Sequence, residues 1–99
     1  MKTREMRNNE FIDVTLVSGD NQKLMAHKVV LAVSSTFFEN VLSNEKHPYP
    51  MILMRGVQHK ILEALLDFIY SGKTRLDKNH IDLFMKFITE IGLYGLVDE

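Results

Sequence analysis

Between Phe11 and Leu42 the apolar positions change period twice. Ile12, Val14 and Leu16 alternate with Asp13, Thr15 and Val17, the period of a half-buried strand. Gly19-Asp20-Asn21 follows; residues of these types accept positive φ or bond their own backbone, which predicts a tight turn. Leu24 and Ala26 then alternate with Met25 and His27 on a return strand. The run Val29-Val30-Leu31-Ala32-Val33 predicts a short helix, and Ser34-Ser35 offers hydroxyls to cap a second one carrying Phe37, Phe38, Val41 and Leu42.

The second half is dominated by helical spacing. Met51-Ile52-Leu53-Met54, bounded by Pro48 and Pro50 before it and Gly56 after it, predicts a buried short strand. Leu62, Leu65, Leu66 and Ile69 fall at i, i+3, i+4 and i+7, the stripe of an amphipathic helix. Ile61 and Phe68 widen that arc, so the helix is expected to be covered on more than one side. Gly72 stands where a terminating glycine belongs. Lys73-Thr74-Arg75-Leu76 predicts a short strand, and Asp77 caps a last long helix, with Leu76 and Ile81 stapling its start. Ile81, Phe84, Met85, Ile88 and Ile91 form its stripe, Gly92 closes it, and Leu93 to Glu99 adds one further turn. The pattern as a whole predicts an α+β fold, a cluster of helices flanked by a small short-stranded sheet.

The order of these elements and the wording of several of them resemble the BTB/POZ domain. The resemblance is carried by Asp13-Val14-Thr15-Leu16, Ala26-His27-Lys28-Val29-Val30-Leu31, Ser35-Thr36-Phe37-Phe38, Leu65-Leu66-Asp67-Phe68-Ile69-Tyr70-Ser71-Gly72 and Gly95-Leu96. Lys46-His47-Pro48 and the ending Gly95-Leu96-Val97-Asp98-Glu99 are similar to the tramtrack group of insect transcription regulators. Five pieces in one order cover nearly all of the chain, which makes the match specific. It divides the chain into a charged, flexible lead-in over 1–10 and a single domain over 11–99.

Composition narrows the classes. The chain has 99 residues, 45% of them hydrophobic and 25% charged, and no cysteine. That suits one core burying roughly 60–65% of its unfolded surface and excludes a disulfide framework. The start lacks the apolar stretch of a secretory signal, and no apolar run approaches the roughly 20 residues that span a bilayer. A net charge of −1 with interspersed signs argues against a DNA-binding surface, and Lys2, Arg4 and Arg7 read as a solvated terminus.

Catalytic and metal chemistry find little support. His27, His47, His59 and His80 are isolated from one another, so no zinc site or cofactor site is expected. Asp13, His27 and Ser34 supply the residue types of a hydrolase triad, but neither nearby serine has a glycine-framed nucleophile elbow. His27 reads as a structural histidine at a strand-to-helix junction, and no enzyme is expected. Met25, Met51, Met54 and Met85 read either as core filling or as an adaptable peptide-binding surface.

The resemblance implies further roles. An acid at Asp13 and a base at Lys28 form a charged pocket near the family's dimer interface; the alternative is a simple surface ion pair worth about 0–1 kcal/mol. Many members carry arginine at the second position, and lysine lacks its bidentate fork. Only ten residues precede Phe11, too few for the helix and strand that transcriptional members exchange between subunits, and no aromatic-rich strand stands among them. Either the chain is trimmed there or it pairs, weakly, through its remaining helical face, for which Phe11, Ile12, Val29 and Val33 are the candidates. The implied function is homodimerisation within a nuclear transcription or chromatin regulator, recruiting corepressor or chromatin proteins and reaching DNA only through other domains, with no membrane partner. The alternative is a cytoplasmic adaptor of a cullin-type ubiquitin ligase, whose apolar-x-Glu motif is one residue too long here, Leu42-Ser43-Asn44-Glu45. An ion-channel assembly domain would need tetramer features that this chain lacks.

Overall fold

A computed structural model describes residues 11–93 of the chain. Three strands, β1 (Val14–Val17), β2 (Lys23–Ala26) and β3 (Met51–Leu53), form one sheet in the order β2-β1-β3. β1 and β2 are an antiparallel hairpin, with Val14 opposite Ala26 and Leu16 opposite Leu24. β3 joins the other side of β1 in parallel, Leu16 opposite Ile52. Four helices complete the domain: α1 (Lys28–Ser34), α2 (Thr36–Ser43), α3 (His59–Ser71) and α4 (Lys78–Glu90).

The core lies between one face of the sheet and the helices. Val14, Leu16 and Ala26 from the hairpin meet Leu31, Phe38, Leu62, Leu65, Leu66, Phe84 and Ile88. Leu62, Leu65 and Leu66 are completely buried, as the apolar arc of α3 requires. Phe68 and Phe84 stack edge to face with centroids 6.4 Å apart, joining α3 to α4. Gly72 ends α3 at φ 83°, a left-handed residue whose N–H donates to the Phe68 carbonyl, as a terminating glycine should.

Helix starts are capped in two different ways. Ser35 Oγ accepts from the Phe38 N–H at the start of α2, and Asp77 accepts from the His80 N–H at the start of α4. Both are local and follow the expected pattern. Neither α1 nor α3 has a side-chain cap of its own. Instead Asp13, just before β1, accepts from the Lys28 N–H at 2.7 Å, and Asp20, in the hairpin turn, accepts from the His59 N–H at 2.8 Å. The hairpin thus supplies a carboxylate to the positive end of each of these helices. Gly19 makes the second contact possible: its N–H donates to the Val57 carbonyl at 2.7 Å, and a Cβ there would stand 3.0 Å from the Gly56 nitrogen.

Several expectations are corrected. Lys73 to Leu76 forms no strand, because no described strand runs beside it to share hydrogen bonds. The inward stripe of α4 is Phe84, Phe87, Ile88 and Ile91, while Ile81 and Met85 are exposed. Both stripes have helical spacing; the one that buries two phenylalanines removes more apolar area from water. With Ile81 exposed, Leu76 packs against the main core instead. β3 is only half buried, since it is an edge strand: Met51 and Leu53 face solvent and Met54 enters the core. Met54 alone of the four weighed methionines fills core space; Met25, Met51 and Met85 are exposed. The lead-in over 1–10 and the turn expected after Leu93 lie outside the described residues.

Ser35 ties the two ends of the helical layer. Its hydroxyl donates to the Ile91 carbonyl at 2.6 Å while accepting from Phe38, its backbone bridges Leu93, and the side chain is fully buried. Ser35→Ala removes a cap and one of the two donors to the Ile91 carbonyl, which keeps the Phe37 N–H, so thermal unfolding should show a loss of about 1–2 kcal/mol.

The Ser18 hydroxyl above all, with the His59 N–H as a lesser help, holds the Asp20 carboxyl below its ordinary value, against an opposing effect of burial that ranks between the two. A carboxyl depressed in the folded state stabilises above its unfolded pKa, and that contribution fades as pH falls through the folded one. Asp20→Ala should therefore lower Tm near neutral pH, and the gap from the parent chain should narrow as both are titrated to about pH 2.

Candidate functional site

The residues singled out for pairing and for a charged pocket come from the segment just before β1 and from α1. In α1 the seven residues bury Leu31 and leave Val29 and Val33 outward, 63% and 68% exposed. The two valines are four positions apart and so share one helix face. Phe11 is 83% exposed, with its backbone at φ 63°, a region uncommon for an aromatic residue. Ile12 is half buried. Phe37, at the start of α2, is also exposed and stacks edge to face on the buried Phe38 at 5.2 Å.

Asp13 and Lys28 are neighbours, but not through their charges. The Asp13 carboxylate accepts from the backbone N–H of Lys28, and no side-chain ion pair joins the two residues. The carboxylate is therefore oriented by the helix start, while the lysine stem is left to line a neighbouring surface. Both residues border an open depression of about 400 Å³ with Val29, Ala32, Glu39 and Leu42. Two carboxylates, a lysine and an aliphatic floor that includes the exposed Val29 border one recess.

His27 sits under this surface as a structural residue. It is buried, its Nδ1 lies 2.6 Å from the Tyr70 hydroxyl, and its backbone N–H donates to the same oxygen at 3.0 Å. The bond spans β2 and α3, so it pins the hairpin to the central helix. Asp13 accepts from the Lys28 N–H instead. Among the described residues no group of three or more His, Asp or Glu could hold a metal ion, and no helix is long and apolar enough to cross a membrane.

Residues 3–99 match the family model of the BTB/POZ domain. The chain belongs to the BTB/POZ family. Among its relatives, the Drosophila melanogaster sex determination protein fruitless is 28% identical over 96 residues, covering 97% of this chain and 10% of fruitless. Protein tramtrack, alpha isoform, of the same organism is 30% identical over 88 residues, covering 89% of this chain and 11% of tramtrack. The similarity to the tramtrack group is thereby shown. The chain spans about a tenth of the length of these two relatives. The BTB domain of zebrafish PATZ1 superimposes with a TM-score of 0.76 at 28% identity, over 90% of this chain and 73% of that one. BTB/POZ membership makes the chain a protein-interaction module.

Missing from the sequence reading were the two long-range helix caps and the Tyr70 partner of His27. Asp20 was legible only as turn chemistry, because its acceptor role depends on a helix that starts 39 residues later.

Tyr70→Phe removes the hydroxyl that bridges His27 to α3 and keeps the ring. Denaturant unfolding should show a loss of about 1–3 kcal/mol, and an unchanged midpoint would mean that the hairpin is anchored by packing alone.

Proposed function

We propose that this domain pairs with a second copy of itself within a nuclear regulator of transcription or chromatin, and that the pair recruits cofactor proteins. The observation that carries this reading is the pair of exposed valines on one face of α1, Val29 also lining the recess bordered by Asp13 and Lys28. Isolated surface valines are common; two at helical spacing beside a charged recess gain from being covered, at about 25 cal/mol per Å². The kinship with tramtrack and fruitless supports the regulatory setting. The chain spans about a tenth of the length of each of those proteins, and its net charge of −1 with mixed signs favours DNA contact by other segments. Pairing two copies raises the effective concentration of whatever those segments bind.

Light scattering and sedimentation test this directly. The parent chain should run as a dimer whose population rises with concentration. Val29→Asp combined with Val33→Asp should return it to a monomer with an unchanged circular dichroism spectrum, by leaving charges in a desolvated contact. Asp13→Asn combined with Lys28→Gln should weaken the dimer to a smaller degree. A parent chain that stays monomeric at high concentration, or a valine variant that stays dimeric, refutes pairing at α1. Retention on a cullin scaffold would favour the ubiquitin-ligase adaptor instead.

A further inference from the structure

The loop that leads from β3 into α3 and the outer side of α4 enclose an open groove of about 360 Å³. Val57 and Ile61 stand on one wall, and Leu83, Lys86, Phe87 and Glu90 on the other. Ile61 and Phe87 are buried and form its floor, whereas Leu83, on the rim, is 52% exposed. An apolar floor with a few polar groups at its border is the make-up of a binding cleft, and this one has room for a bulky side chain and its neighbours.

The charged groups give the groove an order. Lys86 and Glu90 are the two charged residues that border it; Arg55, Lys60 and Asp82 adjoin its residues in the chain without lining it. Lys86 and Glu90 stand at i and i+4, close enough for a helical ion pair. Among the described residues, however, no ion pair engages either one, and both side chains are exposed. From Leu83 the sequence of groups along α4 is apolar, cation, anion. Lys86 lies about 4.5 Å and Glu90 about 10 Å beyond Leu83 along the helix axis. In an extended chain, side chains two positions apart share a face at a separation of about 6.6 Å. The flexible lysine and glutamate stems take up the difference between the two spacings.

We propose that this groove binds an extended segment of another protein in which a bulky apolar residue, an acid and a base occupy alternate positions, in that order from the Leu83 end. The apolar side chain covers Val57, Ile61, Leu83 and Phe87, the acid meets Lys86 and the base meets Glu90. Because both signs are present, the order of the partner's charges decides the fit and its net charge does not. A second copy is the poorer occupant. Two-fold pairing would set the recess against itself and leave a void, and head-to-tail insertion would build rings or open chains. No residue of α1 borders the groove, so segment binding and pairing at α1 stand or fall separately.

The probes are a blocked peptide, Thr-Leu-Thr-Asp-Thr-Lys-Thr, and its reversed sequence, since the groove sets the order of side chains and accepts either chain direction. Each has a control of the same composition in which acid and base trade places. In NMR titration of the parent chain, one of the probes should shift the Val57, Leu83 and Phe87 amides. It should bind at least about tenfold more tightly than its control. Lys86→Glu combined with Glu90→Lys should reverse that preference, and Leu83→Asp should weaken the probe by at least about tenfold. All three positions are exposed, so the variants keep the core intact, and the reversed preference is a gain that an unfolded chain would not show. The proposal is overturned if about 1 mM of either probe leaves the three amides unmoved, if the controls bind as well, if the exchanged-charge variant keeps the parent's preference, or if Leu83→Asp binds like the parent. Amides that respond to protein concentration instead of peptide would also overturn it, in favour of a second copy. Light scattering of the same samples reports on pairing at α1 independently.

Discussion

The burial of α3 governs the rest of this fold. Its apolar arc includes Ile61, Leu62, Ala64, Leu65, Leu66 and Tyr70, all buried, and no single neighbour is wide enough to cover it. The hairpin closes over one side, α1 and α2 over another, and α4 over a third through Phe84 and Ile88. A three-stranded sheet of such short strands is marginal alone, so sheet and helices depend on each other for a core. The His27–Tyr70 bond sits where this dependence is greatest, joining the end of β2 to the end of α3.

A second constraint follows from the first. Helices that start deep in a small domain must satisfy their first N–H groups somehow. α2 and α4 do so with their own Ser35 and Asp77, whereas α1 and α3 borrow Asp13 and Asp20 from the hairpin. Those carboxylates therefore set the position of the hairpin on the helices as well as the helix starts. The same economy explains the recess beside α1. Asp13 is turned toward the Lys28 backbone, and both residues border that recess together with Glu39.

Two surfaces remain apolar after the core is closed, and they differ in kind. The α1 surface is a helix face with Val29 and Val33 at its centre, which suits the flat packing of one helix layer on another. The β3 surface is a strand edge on which Met51 and Leu53 are exposed. A domain whose family works through protein contacts presents both at once, and neither is needed to bury the core.

The sequence by itself determined the hairpin, the four helices, the cap residues Ser35 and Asp77, the stop at Gly72 and the family, because each is written in residues near one another along the chain. Short-range chemistry of that sort survives in any context. Only the tertiary structure decided which stripe of α4 turns inward, that Lys73 to Leu76 is no strand, that Met51 and Leu53 face water, and that Asp13 and Asp20 cap distant helices. Those outcomes depend on which elements compete for the same buried area and on hydrogen bonds between residues far apart in the chain. Periodicity states which faces are apolar; packing chooses among them.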